Sequence, residues 1–206
     1  MSISPNDRVG QAVSAFRRGE LVVVVDDEDR ENEGDLVCSA TSVTAEQLAF
    51  LVRWTTGIVC VPMTGDALDR LELPLMVSRN EENLRTAFTV SVDARSGITT
   101  GVSAAERAHT IRLLADPATT ADQLVRPGHL FPLRAHSLGS RGRRGHTEAT
   151  IDLARLAGLT PVGVLAELVN DDGAMMRGRQ LELFAAEHGL ALVSVGEIAE
   201  AMPVSV

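Results

Sequence analysis

Residues 26–35 carry most of the chain's excess negative charge. They read Asp-Asp-Glu-Asp-Arg-Glu-Asn-Glu-Gly-Asp, with seven acids and one arginine, and they account for six of the nine net negative charges. Each pair of like charges at contact distance costs about 1 kcal/mol in water and more near a protein surface. A fold that places this run at the end of a buried strand therefore needs a compensating cation, either a metal ion or arginine side chains.

A solvated loop is the ordinary explanation of an acidic run, and we expect it to hold for residues 27–29. Three features favour a ligand site in the remainder. The run is internal, it contains Arg30 and Gly34, and it lies between the apolar segments 21–25 and 36–40. Short carboxylate-rich loops at the carboxyl ends of strands are where open α/β sheets bind ligands.

Two other classes of metal-dependent protein fit part of this loop. An EF-hand calcium loop beginning at Asp29 matches at its first half, but Ala40 occupies the position that requires a bidentate glutamate. A phosphatase with an aspartyl nucleophile would place residues 27–29 directly after a strand and take its magnesium-binding acids from residues 171–172. That class also needs a Lys or Arg beside the phospho-aspartate, and this chain contains no lysine.

Other segments carry groups suited to binding and proton transfer. The basic loop 143–146 leads into a helical pattern, so backbone N–H groups, Thr147 and arginines could bind a phosphate or carboxylate. Glu167 lies in a run of apolar residues, where an acid is costly unless it is paired or functional. His129 and His146 both follow glycine in loops that contain arginine. The remaining histidines are expected to be structural hydrogen bonders: His109, His136 and His188.

Apolar and amphipathic segments alternate along the chain and predict the scaffold that positions these groups. Capping-box sequences predict helix starts at Thr44, Ser103 and Thr120, and Gly158 and Gly189 mark helix ends. Strands are predicted at residues 21–25, 36–40, 58–63, 87–92, 130–134, 162–169 and 190–195. The pattern indicates an α/β (α+β) fold with a mixed β-sheet flanked by helices. No linker rich in Pro, Gly or Ser divides the sequence, so residues 1–206 are expected to form a single domain.

The composition excludes several other functions. With 45% hydrophobic and 23% charged residues, the chain resembles an ordinary soluble protein, and no stretch of 18 apolar residues predicts a membrane span. The acidic balance and the lack of a basic stripe argue against nucleic acid as a partner. Residues 1–7 lack the features of a signal peptide, which favours a cytoplasmic location. Cys38 and Cys60 lie in apolar runs and are expected to be buried free thiols.

Six segments, taken in order, resemble the 3,4-dihydroxy-2-butanone 4-phosphate synthase family of riboflavin biosynthesis. They cover nearly the whole chain: 26–35, 57–60 (Gly-Ile-Val-Cys), 99–103 (Thr-Thr-Gly-Val-Ser), 126–134 (Arg-Pro-Gly-His-Leu-Phe-Pro-Leu-Arg), 145–150 (Gly-His-Thr-Glu-Ala-Thr) and 167–173 (Glu-Leu-Val-Asn-Asp-Asp-Gly). The resemblance implies a lyase that converts D-ribulose 5-phosphate, a sugar phosphate, to 3,4-dihydroxy-2-butanone 4-phosphate and formate. It also implies a three-layer sandwich, a homodimer, and Mg²⁺ as cofactor with Mn²⁺ as a substitute.

The resemblance further implies a role for individual residues. Glu31 and His146 are the implied metal ligands, and Glu167 is implied to contact substrate and, with His129, to be essential for catalysis. The implied sugar contacts are Arg30, Glu31 and Asp35. The implied phosphate-side loop consists of Arg143, Arg144, Gly145, His146 and Thr147. Less strongly implied neighbours of the site are Asp26, Glu33 and Cys60.

The chain departs from the family pattern in residues 137–143, Ser-Leu-Gly-Ser-Arg-Gly-Arg, where relatives usually have an apolar segment of the Gly-Gly-Val-Leu type. The arginine that meets the phosphate is therefore not fixed by the resemblance. Many relatives carry a fused GTP cyclohydrolase II domain with a zinc-binding cysteine cluster, and that activity is not expected of these 206 residues. Two alternatives stay open: a binding module without turnover, and a nucleotide-binding relative that acts in RNA modification.

Overall fold

A seven-stranded mixed sheet runs through residues 8–203, the part of the chain that the computed structural model describes. Its strands are β1 (Val22–Val25), β2 (Gly34–Ser39), β3 (Cys60–Met63), β4 (Val92–Ala94), β5 (Leu124–Arg134), β6 (Gly163–Glu167) and β7 (Ala191–Ser194). Their order across the sheet is β4-β5-β3-β6-β2-β1-β7. The pairs β1/β7 and β3/β5 are parallel, whereas β1/β2, β2/β6, β3/β6 and β4/β5 are antiparallel.

Helices cover both faces of this sheet and complete the predicted three-layer sandwich. The helices are α1 (Arg8–Arg17), α2 (Ala45–Trp54), α3 (Gly65–Arg70), α4 (Ala104–Ala115), α5 (His146–Leu156), α6 (Arg179–His188) and α7 (Val195–Ala201). Residues of α1, α5 and α7 share one hydrophobic core with the sheet, and residues of α2, α3, α4 and α6 share the other. None of the helices in residues 8–203 is long and apolar enough to cross a membrane.

Burial on both faces explains why the strand before the acidic loop is a continuous apolar run. Val22 and Val24 pack into the core under α1 and α5, and Val23 packs into the opposite core. All three are fully buried, and burying one such side chain contributes roughly 1.5–3 kcal/mol. The strand that carries the loop is therefore a rigid support.

Most predicted element boundaries are confirmed. Thr44 caps α2 with a complete capping box, and Gly158 and Gly189 follow α5 and α6 with positive φ values of 71° and 65°. Cys38 and Cys60 are buried free thiols, as expected. Residues 1–7, on which the cytoplasmic prediction partly rested, lie outside the described residues.

The predicted strand at residues 87–92 and the helix predicted after Thr120 are wrong. Only isolated bridges form in the first segment, because both the backbone and the hydroxyl of Thr89 donate to Pro132 O, and a proline has no N–H to continue the ladder. Pairing of that edge instead begins at Val92. After Thr120 a three-residue 3₁₀ helix forms, because β5 starts directly behind it at Leu124.

Candidate active site

The strand register brings the acids of two strands together. Asp35 in β2 lies directly opposite Glu167 at the end of β6 and opposite Val24 in β1. The acidic loop leaves β1 at the same end of the sheet. Elements distant in sequence therefore converge on one point, which explains why a single loop could not specify the site.

Asp26 folds the acidic loop back on itself. Its side chain accepts hydrogen bonds from the backbone N–H groups of Glu31 (3.1 Å) and Glu33 (2.9 Å) and from the Arg30 guanidinium (2.8 Å). Arg30 also contacts the Glu31 carboxylate. The repulsion predicted for this run is thus relieved within the loop by Arg30 and by backbone donors, before any metal is considered.

His146 is the first residue of α5, and its ring lies between two carboxylates. Nδ1 is 3.6 Å from Glu31 Oε2 and 3.8 Å from Asp35 Oδ1. Burial alone would lower the pKa of His146, but the charges of Asp35, Asp26 and Glu31 raise it to about 9. The His146 ring and the Arg30 guanidinium in turn hold the pKa of Glu31 at about 2, against the opposing effect of burial.

Asp35 is the most unusual acid of the cluster. It is fully enclosed, and its Oδ1 atom is buried without a hydrogen-bond partner. Burial, together with the negative charges of Glu167, Glu31 and Asp26, raises the pKa of Asp35 to about 7, although the nearby His146 acts in the opposite direction. A carboxyl group with a pKa near neutrality is suited to accept and donate protons.

Glu167 ends β6 at the edge of the same cavity. Its Oε2 atom accepts a hydrogen bond of 2.6 Å from the Thr56 hydroxyl, and its carbonyl accepts another from the Thr56 N–H. These bonds fix the side chain beside Asp35 and leave Oε1 for other partners. An acid is tolerated in this apolar run because strand β6 ends at Glu167 and the carboxylate has a hydrogen-bond donor there.

The N-terminus of α5 faces the cluster without a side-chain cap. Its N-cap residue is Gly145, which has no side chain to cap the first N–H groups of the helix. Arg143 is held beside it by Glu148 (2.8 Å) and by the carbonyl of Leu84 and hydroxyl of Thr86 (3.3 Å each). Free N–H groups next to a fixed guanidinium form an anion-binding site.

These groups surround a cavity of about 160 Å³. Its lining includes most of the residues that the sequence predicted for the site: Arg30, Glu31, Asp35, Arg143, His146, Thr147 and Glu167. The less strongly implied Glu33 and Cys60 also line it, and Thr86, Phe88, Leu133 and Leu165 complete it. No role was predicted for these last four, because an uncharged side chain in an apolar or polar segment gives no chemical signature of its own.

Besides Asp26, which folds the acidic loop, three predicted residues do not line this cavity. Gly145 contributes backbone only, and a side chain there would clash with Arg143. The Arg144 guanidinium lies 3.8 Å from the Asp27 carboxylate. His129 is in β5. Strand β3 lies between this strand and β6, which carries Glu167.

Two supporting residues were missed by the sequence analysis. Arg177 donates to Glu33 (2.7 Å) and Thr56 to Glu167, so each orients an acid of the cavity. Both partners are more than 100 residues away in sequence, and only the sheet pairing could have found them. Glu28 and Asp29 are exposed, as expected for the solvated part of the loop.

The residues present fit a divalent cation. Asp26, Glu31 and His146 each offer a ligand atom, and these atoms lie within 4.8 Å of one another. Two polar atoms at the same place, His146 Nε2 and Asp35 Oδ1, are buried without partners. A mixed set of carboxylate oxygens and one imidazole suits Mn²⁺ as well as Mg²⁺, since imidazole is a less usual ligand for the harder ion.

Comparison with known proteins agrees with this geometry. The model of a family described as 3,4-dihydroxy-2-butanone 4-phosphate synthase matches residues 10–201. The protein of that name from Agrobacterium fabrum is 53% identical over 191 residues, which is 93% of this chain and 90% of the relative. Riboflavin biosynthesis protein RibBA from Salinispora arenicola is 57% identical over 190 residues, and the match covers 92% of this chain but 45% of that protein.

A solved structure gives the same result for the fold. A 3,4-dihydroxy-2-butanone 4-phosphate synthase in complex with two magnesium ions is 44% identical and superposes with a TM-score of 0.90, covering 93% of this chain and 94% of that chain. Sequence, fold and the cavity residues thus agree. The chain belongs to the 3,4-dihydroxy-2-butanone 4-phosphate synthase family, the lyases of riboflavin biosynthesis that act on D-ribulose 5-phosphate.

Proposed function

We propose that this chain releases formate from D-ribulose 5-phosphate in the cavity between the acidic loop and α5. The observation that carries the proposal is the convergence of Glu31, Asp35, Glu167 and His146 on one cavity beside the uncapped start of α5. The reaction requires enolisation, loss of the C1 hydroxyl as water, a skeletal shift and release of C4. Each step moves protons and builds negative charge on oxygen, so a carboxylate-rich site suits it better than a single nucleophile.

Glu31 and His146 are the proposed ligands of a magnesium ion, for which manganese can substitute. The support is their proximity and the partnerless Nε2 atom of His146. When bound, a divalent cation polarises the substrate carbonyl and stabilises the oxyanions that form next to it. Asp26 is the third member of this group, but its oxygens already hold the loop, so its proposed role is to position Glu31.

The phosphate is proposed to bind at the N-terminus of α5. Arg143, the Thr147 hydroxyl and the first backbone N–H groups of the helix face the same cavity. Between the arginines of this loop, the structure favours Arg143 over Arg144, because Arg143 lines the cavity and Arg144 lies beside Asp27. Because Gly145 has no side chain, the phosphate can approach the first N–H groups of α5 closely.

Arg30, Glu31 and Asp35 are proposed to bind the sugar, and Asp35 to transfer protons. With a pKa of about 7, its carboxyl group holds a proton about half of the time at neutral pH. Oδ1 is the atom without a partner, so it is the one proposed to take a proton from the sugar and return it. Glu167, fixed by Thr56, is proposed to contact the sugar from the opposite strand and, with His129, to be essential for catalysis.

A homodimer, a single domain and a cytoplasmic location complete the proposal. Leu75, Met76 and Val77 are each about half exposed, as expected of apolar residues that a second copy covers. All seven strands of residues 8–203 belong to one sheet, which supports one domain. The two free thiols suit a reducing compartment. Light scattering should give twice the mass of one chain, and a mass of one chain would contradict the dimer.

Formate release tests the function directly. Purified protein with D-ribulose 5-phosphate and magnesium should release formate, measured with a coupled formate dehydrogenase, and chelator should stop it. Glu31→Ala should abolish release while the protein remains folded. Glu28→Ala, the matched change at an exposed position of the same loop, should retain it. Absence of formate from the unmodified protein would refute the proposal, and an active Glu31→Ala variant would refute the ligand assignment.

A further inference from the structure

A second cavity lies on the surface, outside the catalytic one. It has a volume of about 560 Å³ and shares no lining residue with the catalytic cavity. Its walls come from the end of α3, the residue after β4, the segment that joins α4 to β5, and β5 itself. Arg70, Arg95 and Arg126 line it, and we call it the arginine cavity. Elements distant in sequence thus bring three positive charges to one place.

Main-chain carbonyl groups hold all three guanidinium groups. The acceptors are Thr119 O for Arg70, Asp122 O and Leu124 O for Arg95, and Ala121 O and Leu71 O for Arg126. Four of these five carbonyls belong to residues 119–124, so the arginines are fixed against one segment. A carbonyl oxygen accepts a hydrogen bond but carries no net charge, and the positive charges therefore remain uncancelled.

No carboxylate forms an ion pair with these arginines in the part of the chain that the structure describes. The arginine ion pairs within residues 8–203 all involve other arginines. Two acids line the cavity, Glu72 and Asp122, and both are exposed to solvent. The Asp122 carboxylate accepts a hydrogen bond from the Thr120 hydroxyl. Three fixed cations without a paired acid attract anions.

Two buried polar atoms of the same cavity have no hydrogen-bond partner. They are Oγ1 of Thr119, a residue that is only 2% exposed, and Nε of Arg126. Five such side-chain atoms occur within residues 8–203. Two of them, from Asp35 and His146, lie at the proposed metal site, and these two belong to residues that line the arginine cavity. Buried donors are nearly always satisfied in folded proteins, so this pair indicates a missing acceptor.

We propose that the arginine cavity binds the phosphate group of a small organic phosphate, at a site separate from the catalytic cavity. Guanidinium groups bind phosphate oxygens in pairs of parallel hydrogen bonds, and a doubly charged phosphate matches more than one arginine. The volume falls within the roughly 300–1,000 Å³ of small-molecule sites, so it leaves room for the organic part of the ligand. The inference goes beyond the proposed function and does not depend on it.

Amide NMR of the intact, nitrogen-labelled protein locates the site without any activity measurement. Titration with sodium phosphate should shift the amide signals of residues 118–122 in a saturable manner. A separate response is expected at the start of α5, where the substrate phosphate is proposed to bind. Sodium chloride at equal ionic strength should produce no saturable shift at residues 118–122. A linear response to phosphate there, or the same response to chloride, would overturn the proposal.

Variants then assign the binding to the arginine cavity. Arg95→Gln removes one exposed positive charge and should weaken phosphate binding at residues 118–122 at least about tenfold, since it removes a charge-assisted hydrogen bond. Arg79→Gln makes the same change in an exposed ion pair with Glu81 and should leave the affinity unchanged. Arg143→Ala should remove the response at the start of α5 and preserve the response at residues 118–122.

A second variant covers the case in which Arg95→Gln disturbs the segment that this arginine fastens. Thr119→Val keeps the shape of a buried side chain and removes only its hydroxyl, so it should also weaken phosphate binding at residues 118–122. The amide spectra of both variants without phosphate report whether the fold is retained. Unchanged affinity in the folded variants would overturn the assignment to this cavity. Loss of the response in Arg143→Ala would likewise overturn it, because a single site at α5 would then explain both sets of shifts.

Discussion

Binding of magnesium should release close to one proton per ion at pH 7.5. The negative charges around His146 raise its pKa to about 9, so in the metal-free protein the ring is protonated at pH 7.5. A metal ligand must be neutral imidazole, and the ion therefore displaces the proton. The cost is 1.36 kcal/mol per pH unit between 7.5 and 9, or about 2 kcal/mol, which weakens the apparent affinity about 30-fold. Affinity should thus rise about tenfold per pH unit and level off above pH 9.

Titration calorimetry in two buffers of different ionisation enthalpy measures the proton count directly. The experiment uses the intact protein with magnesium chloride alone, at pH 7.5 and again at pH 9, where release should be about half as large. His109→Asn is the matched control. His109 hydrogen-bonds Ser96 O and does not line the cavity, so its replacement should leave the proton release unchanged. His146→Asn should bind magnesium more weakly and without release.

Magnesium binding without proton release in the unmodified protein would refute this reasoning. Either the ring would then not be a ligand, or the acids would not hold it protonated. An equal release from His146→Asn would trace the proton to another group, of which Asp35, with a pKa of about 7, is the first candidate. A titration at pH 9 distinguishes Asp35 from His146 as the source of the proton, because Asp35 is already ionised at that pH and has none to release.

Three further changes test the phosphate site and the core that α2 and α6 share with the sheet. Arg143→Ala should raise KM for D-ribulose 5-phosphate at least tenfold in the formate assay, since a charge-assisted bond contributes roughly 1.5–3 kcal/mol; Arg144→Ala should change it much less, and equal effects would contradict the choice between them. Gly34→Ala should lower the free energy of unfolding in urea by roughly 1–3 kcal/mol, because its Cβ would overlap Leu181; unchanged stability would show that α6 moves freely. Leu51→Ala should cost roughly 2–5 kcal/mol in the same assay, because the side chain is fully buried, and a loss below 1 kcal/mol would contradict close packing there.

Local chemistry in the sequence predicted the site better than it predicted its supports. The charge pattern of residues 26–35 and the Gly-His-Thr start of α5 led to most of the cavity lining. Periodicity likewise predicted the layers, because strands such as β1 are apolar on both faces. The strand predicted at residues 87–92 is wrong for a reason outside that segment. Its apolar pattern is ordinary, but its pairing depends on Pro132 of the neighbouring strand, 43 residues after Thr89.

The contacts between distant residues could not be predicted. Asp93 and His129 are 36 residues apart and meet through a bulge in a strand pair, a feature without a sequence signature. Thr56 and Glu167 meet through an isolated bridge beside the sheet. The role of Asp26 was also hidden, since the sequence presents it as one of seven similar acids and only the turn makes it the acceptor for three donors.

The closed loop around Asp26 has a consequence for the kinetics of metal uptake. Because its carboxylate already ties down the amides of Glu31 and Glu33, the loop needs no folding step when an ion arrives. Hydrogen exchange at these two amides should be slow with or without magnesium. The barrier to binding then lies in the ion itself, which gives up its water molecules reluctantly, and the protein offers a receptor that is assembled in advance.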